Sequence, residues 1–90
     1  MINENEDNER DEYGNPIFTL GYIKKMCKSH GNLYYHTPEL NDILYLNCKG
    51  FRELRNFDLF PGLKCLYFQT NGCKNMLGLE TNSKLMTLYL

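Results

Sequence analysis

No stretch of the 90 residues approaches the roughly 18 consecutive apolar residues that a membrane-spanning helix needs, so the sequence predicts no membrane span. A secretory signal is missing too: such a segment begins basic and turns apolar, whereas this chain begins acidic and polar, MINENEDNERDE. The four cysteines, Cys27, Cys48, Cys65 and Cys73, contain no CxxC pair and no regular small-domain spacing. That pattern excludes an obvious disulfide framework and fits reduced thiols in the cytoplasm.

Charge of one sign is also scarce overall, at a net −1, but the balance conceals an uneven distribution. Residues 1–12 hold six acids against Arg10, and residues 13–90 hold nine Lys and Arg against five Asp and Glu. A short, highly charged start without Val, Leu, Phe or Tyr buries too little surface to offset its ordering entropy, so residues 1–18 are expected to be a disordered acidic leader. With 42% apolar residues in the whole chain, the remainder suffices for one small domain.

Residues 19–40 are expected to form a capping helix and a connector. Leu20, Ile23, Met26 and Cys27 recur at helical intervals, with Lys24, Lys25 and Lys28 on the opposite side. Thr19 is placed to be the N-cap, and Gly31 and Asn32 to end the helix in the left-handed conformation. In the connector NLYYHTPEL, Pro38 keeps Thr37 extended, and Leu33, Tyr34 and Tyr35 are expected to pin the helix to the segment beyond the connector.

Residues 41–90 say nearly the same thing repeatedly. Leu44-Tyr45-Leu46, Leu66-Tyr67-Phe68 and Leu88-Tyr89-Leu90 lie 22 residues apart, and Phe51 aligns with Cys73, Leu54 with Met76 and Phe57 with Leu79. The pattern is that of a short strand with inward leucines followed by an arc that returns apolar residues to the same interior. One such unit cannot close a core, so copies must stack. The expected fold is an α/β leucine-rich repeat solenoid, a right-handed spring with a short parallel sheet, comprising two full repeats and a truncated third. Leu44, Leu46, Leu66, Phe68, Leu88 and Leu90 would line it. Asn71 is suited to bond the open backbone where the second strand turns away, whereas Lys49 replaces it in the first unit, whose turn is therefore expected to be irregular. Asn41 stands where Leu63 and Leu85 lead one to expect leucine. The strand that ends at Leu90 leaves an unpaired edge, which suggests a fragment of a longer protein, marginal or aggregation-prone by itself.

Alternation along the strands turns Ile43, Tyr45, Asn47, Cys65, Tyr67, Gln69, Thr87 and Tyr89 outward on the concave face. Tyr45, Tyr67 and Tyr89 form a ladder there, which serves either to pack the strands on one another or to dock a partner protein. Catalysis or metal binding by Cys27 with His30 and His36 lacks the further ligands a site needs, and Cys27 fits the helix's apolar side. Lys24, Lys25, Lys28, Lys49, Arg52 and Arg55 raise nucleic-acid binding, but Arg52 and Arg55 belong to the convex arc and do not interleave with the tyrosines. The expectation is a non-enzyme with no cofactor or metal, no nucleic acid and no membrane.

The helix ending Cys27-Lys28-Ser29-His30, the segment Tyr35-His36-Thr37-Pro38-Glu39-Leu40-Asn41-Asp42, and the elements Leu44 to Leu46 and Lys49 to Phe51 resemble the N-terminal region of the dynein axonemal assembly factor 1 family. The resemblance covers about residues 22–90. It implies a protein-interaction scaffold for the cytoplasmic pre-assembly of dynein arms, with arm components or assembly chaperones as partners and a cytoplasmic and ciliary or flagellar location. Family members are much longer and carry further repeats. A leucine-rich repeat regulatory subunit of a protein phosphatase, or a generic binding module of that repeat type, is the alternative.

Overall fold

The computed structural model describes residues 9–90; residues 1–8, the larger part of the acidic stretch, lie outside the described residues. Residues 9–18, assigned above to the disordered leader, instead make a tight turn. The Asp11 carboxylate accepts hydrogen bonds from the backbone N–H groups of Asn15 and Tyr13, each at 2.9 Å, and these bonds hold its carboxyl below the ordinary range. Arg10 and Pro16 pair across the turn, and the segment ends in Phe18, which is 1% exposed. An acidic composition does not prevent ordering when one carboxylate caps a turn and one aromatic reaches the core.

Helix α1 runs from Leu20 to Ser29. Thr19 caps it as the sequence predicts, its hydroxyl accepting from the Tyr22 N–H at 3.1 Å. Phe18 just before the cap and Ile23 four places beyond it are both buried, the arrangement of a hydrophobic staple. Ile23, Met26 and Cys27 face inward as expected, but Leu20 is half exposed and Gly21 takes an inward position instead. The helix ends differently as well. His30 is the C-cap, its N–H donating to the Met26 carbonyl, and Gly31 does not adopt the left-handed conformation. The His30 carbonyl accepts from both Leu33 and Tyr34, which folds the chain back without a glycine. Of the three connector residues expected to pin the helix, only Tyr34 is buried; Leu33 and Tyr35 are exposed. A short 3-10 turn, Pro38–Leu40, follows, with Thr37 extended before it.

Three short strands, β1 (Ile43–Tyr45), β2 (Cys65–Tyr67) and β3 (Thr87–Tyr89), form one parallel sheet in the order β1-β2-β3. Ile43 lies beside Cys65 and Cys65 beside Thr87, so each strand is displaced from the last by 22 residues and no slip in register. The same geometry recurs at the strand entrances, where the Asp42 carbonyl accepts from Lys64 and Cys65, and the Lys64 carbonyl from Met86 and Thr87.

The turns after β1 and β2 are alike, contrary to the irregular first turn expected from Lys49. Cys48 and Thr70 have φ of 59° and 61°, and Gly50 and Gly72 have 85° and 78°. The reason is Asn71. Its Oδ1 accepts from the N–H groups of Lys49, Gly50 and Phe51 at 2.9, 2.7 and 3.2 Å, while its Nδ2 donates to the carbonyls of Leu46 and Phe68 at 2.8 and 2.9 Å. The first turn needs no asparagine of its own, because the second lends one backwards. Asn82 acts similarly on the arc, donating to the Phe57 and Phe60 carbonyls at 2.8 and 3.0 Å.

Leu44, Leu46, Leu66 and Phe68 are all at most 1% exposed and pack against the returning arc of Phe51, Leu54, Phe57, Phe60 and Leu63. All five phenylalanines of the chain are buried, and their rings touch edge-on and stacked at 5.2 to 6.4 Å. The far end is less covered. Leu88 is half-buried, and Leu90 and Met76, expected in the interior, are 53% and 50% exposed. Leu44 and Leu46 of the edge strand β1 share the core with Phe18, Ile23, Met26, Cys27 and Tyr34 of the preceding segment, whereas among the described residues no element covers the far side of β3. Asn41 occupies the place of Leu63 and is 3% exposed. Its Oδ1 accepts from the Tyr35 N–H at 2.9 Å, and its Nδ2 reaches the carbonyls of Tyr35, Thr37 and Pro38 at 3.2 to 3.3 Å. A leucine there could not hold the connector's backbone.

Candidate functional site

The register of the sheet brings the outward residues into rows. Ile43, Cys65 and Thr87 make one row and Tyr45, Tyr67 and Tyr89 the next. Parallel strands about 4.8 Å apart place identical aromatic rings at stacking distance. The Tyr45 and Tyr67 rings are 5.0 Å apart at 14°, and those of Tyr67 and Tyr89 are 4.7 Å apart at 8°. Tyr67, flanked on both sides, is half-buried, whereas Tyr45 and Tyr89 stay 39% and 45% exposed. The Tyr67 hydroxyl is held above the ordinary tyrosine range, chiefly by Cys65 beside it. Asn47 and Gln69 continue the same alternation one step beyond the paired strands; Gln69 is half-buried, with its Oε1 buried and lacking a hydrogen-bond partner.

One end of the ladder meets α1 and its following turn. Tyr34 is the joint: its hydroxyl accepts from the Tyr45 N–H at 3.0 Å, so the backbone donor at the outer edge of β1 is satisfied by a side chain from the cap. Burial pushes the Tyr34 hydroxyl up. Beside it opens a cleft of about 280 Å³, walled by Tyr22, Met26 and His30 of the helix and by Leu33 and Tyr34. Tyr45, Asn47 and Lys49 close its other side. Alternation along the strand identifies Tyr45 and Asn47 but not the cleft, because the helix and strand that form it are far apart along the chain. Tyr34, in the connector after the helix, was the available signal.

The residues considered for catalysis do not converge. Cys27 is fully buried, its sulfur 3.9 Å from the Asn41 Nδ2, and burial pushes its thiol up. His30 and His36 are exposed. Among the described residues no group of three or more His, Cys, Asp or Glu side chains could hold a metal ion, the four cysteines are free, and no helix is long and apolar enough to cross a membrane. Arg52 and Arg55 lie beyond Phe51 on the arc, where Arg55 pairs with Glu53 at 2.7 Å in an exposed bridge.

No protein-family model matches the chain, and no solved structure matches it. Curated proteins do. Dynein axonemal assembly factor 1 of Peromyscus polionotus is 45% identical over 60 residues, 67% of this chain and 9% of that protein. The Homo sapiens protein of the same name is 44% identical over 52 residues, 58% of this chain and 7% of that protein. The dynein axonemal assembly factor 1 homolog of Aedes aegypti is 39% identical over 61 residues, 68% of this chain and 5% of that protein. The chain is thus homologous to proteins of that name from mammals and insects over about two-thirds of its own length, and spans less than a tenth of theirs.

Proposed function

We propose that the chain acts in the assembly of axonemal dynein, as a non-catalytic protein-interaction scaffold of the leucine-rich repeat kind. In this reading residues 41–90 are successive 22-residue units of a right-handed solenoid, residues 19–40 are its cap, and the concave face is the docking surface. The homology supplies the process. The reading of the site is supported by one observation, the stack of Tyr45, Tyr67 and Tyr89 on the three-stranded sheet, exposed at its two ends. Aromatic side chains lose little conformational entropy on binding, and a preordered row loses less still. The work is then done in the cytoplasm, on dynein arm components or the chaperones that fold them, for cilia or flagella.

The test is recovery of axonemal dynein heavy chains from an extract of ciliated cells on the immobilised chain, compared with a Tyr45→Ala plus Tyr67→Ala variant. Circular dichroism confirms the variant's fold. Loss of recovery by the folded variant is the expected result; equal recovery reduces the ladder to packing between strands.

A further inference from the structure

Asn71, the residue that closes the first turn, is also the one asparagine of the chain followed by glycine. In an Asn-Gly pair the backbone nitrogen of the glycine can attack the side-chain carboxamide carbon, because glycine has no Cβ to hinder the approach and samples φ and ψ widely. A nitrogen–carbon bond closes a succinimide ring and the side-chain nitrogen leaves as ammonia. Water then opens the ring to aspartate or isoaspartate. No enzyme, oxidant or cofactor takes part.

The fold opposes that reaction at the amide rather than at the glycine. Gly72 is exposed, with φ of +78°, but Asn71 is only 4% exposed. Its Nδ2, the leaving group, donates to the Leu46 and Phe68 carbonyls, and its Oδ1 accepts from the N–H groups of Lys49, Gly50 and Phe51. Ring closure forfeits the bonds of Nδ2 and must pass ammonia out of a buried site and water into it, so it proceeds when the turn opens. The products do not restore the turn. Aspartate puts an oxygen where Nδ2 stood, facing two buried carbonyls, and isoaspartate reroutes the main chain through the former side chain, one carbon longer. The first unit has Lys49 at the corresponding position, so no other asparagine takes over, and one reaction releases both turns.

We infer that Asn71-Gly72 is a self-modification site that limits how long the chain can stay unfolded: folding protects Asn71, and a chain that remains open loses it irreversibly, together with the means to close either turn.

The test holds the full 90-residue chain at neutral pH in native buffer and in denaturing urea, and follows aspartate and isoaspartate at every asparagine by peptide mass spectrometry. In urea, Asn71 is expected to convert faster than any other asparagine. In native buffer its conversion is expected to be slower by at least about tenfold, since a reaction that requires opening follows the small unfolded population. Gly72→Ala is expected to slow the reaction in urea severalfold, a comparison that needs no folded variant. After dilution from urea, chains with Asn71 intact are expected to regain the parent's circular dichroism, and modified chains, separated by their added negative charge, are expected not to. The inference is overturned if native buffer slows Asn71 by less than about tenfold, if another asparagine leads in urea, if Gly72→Ala reacts as the parent does, or if the modified chains refold like the parent.

Discussion

Replacing Asn71 by alanine removes all five of its hydrogen bonds at once, two to carbonyls and three from N–H groups. The cost depends on how many orphaned partners water can reach. The N–H groups of Lys49 and Gly50 lie near the surface, whereas the Phe51 N–H and the carbonyls of Leu46 and Phe68 belong to residues at most 1% exposed. At about 1–3 kcal/mol for each buried group left without a partner, the three together cost about 3–9 kcal/mol. A domain this small has about 5 kcal/mol in total, so Asn71→Ala is expected to be largely unfolded at room temperature. Urea titration followed by far-ultraviolet circular dichroism measures it. Asn75, exposed and with its side chain accepting from the Leu77 N–H within its own turn, is the reference, and Asn75→Ala should stay within about 0.5 kcal/mol of the parent. Asn71→Asp separates the two ends of the amide: the three accepted bonds survive, but an oxygen now faces the Leu46 and Phe68 carbonyls, so this variant should also lose stability. If Asn71→Ala unfolds within about 1 kcal/mol of the parent, the side chain is not what holds the first turn, and the reasoning fails.

Gly78→Ala should cost about 2–3 kcal/mol, since φ there is +120° and the added methyl would run into the Leu54 carbonyl; Gly31→Ala, with open space around it, should melt as the parent does. Burial raises the Tyr22 hydroxyl above its ordinary 10.0, so the folded state keeps a proton that the unfolded chain releases. That contribution is intact below about pH 10 and lost as the pH rises through the folded value, and Tyr22→Phe should flatten the alkaline limb of stability measured by urea titration from about pH 9 to 12. An unchanged limb would assign the alkaline loss to other groups.

What the sequence disclosed was whatever repeats or caps. The strands announced themselves through Leu44, Leu66 and Leu88, and Thr19 and Asn71 through chemistry that suits a cap and a turn. Leu20 was misplaced because a helical interval alone does not say where the edge of a buried stripe falls, and Gly21 sat at that edge. Phe18 was assigned to the leader because charge dominated its surroundings, although an aromatic immediately before an N-cap is itself a core signal. Asn41 broke the leucine column, and its real partners, backbone groups in the preceding connector, leave no periodic trace. Of the outward face of the sheet, the tyrosine row was legible by alternation; the cleft was not, since it exists only once α1 and β1 are side by side.

The backward reach of Asn71 sets an order of events on the ribosome. A nascent chain that has emerged only as far as Phe60 holds the first strand and its turn in sequence but lacks the amide that closes it, some 20 residues from the Phe51 N–H it must meet. Translation therefore runs ahead of structure by about 20 residues at this turn, and a chaperone encountering the growing polypeptide there would find the loop after the first strand open.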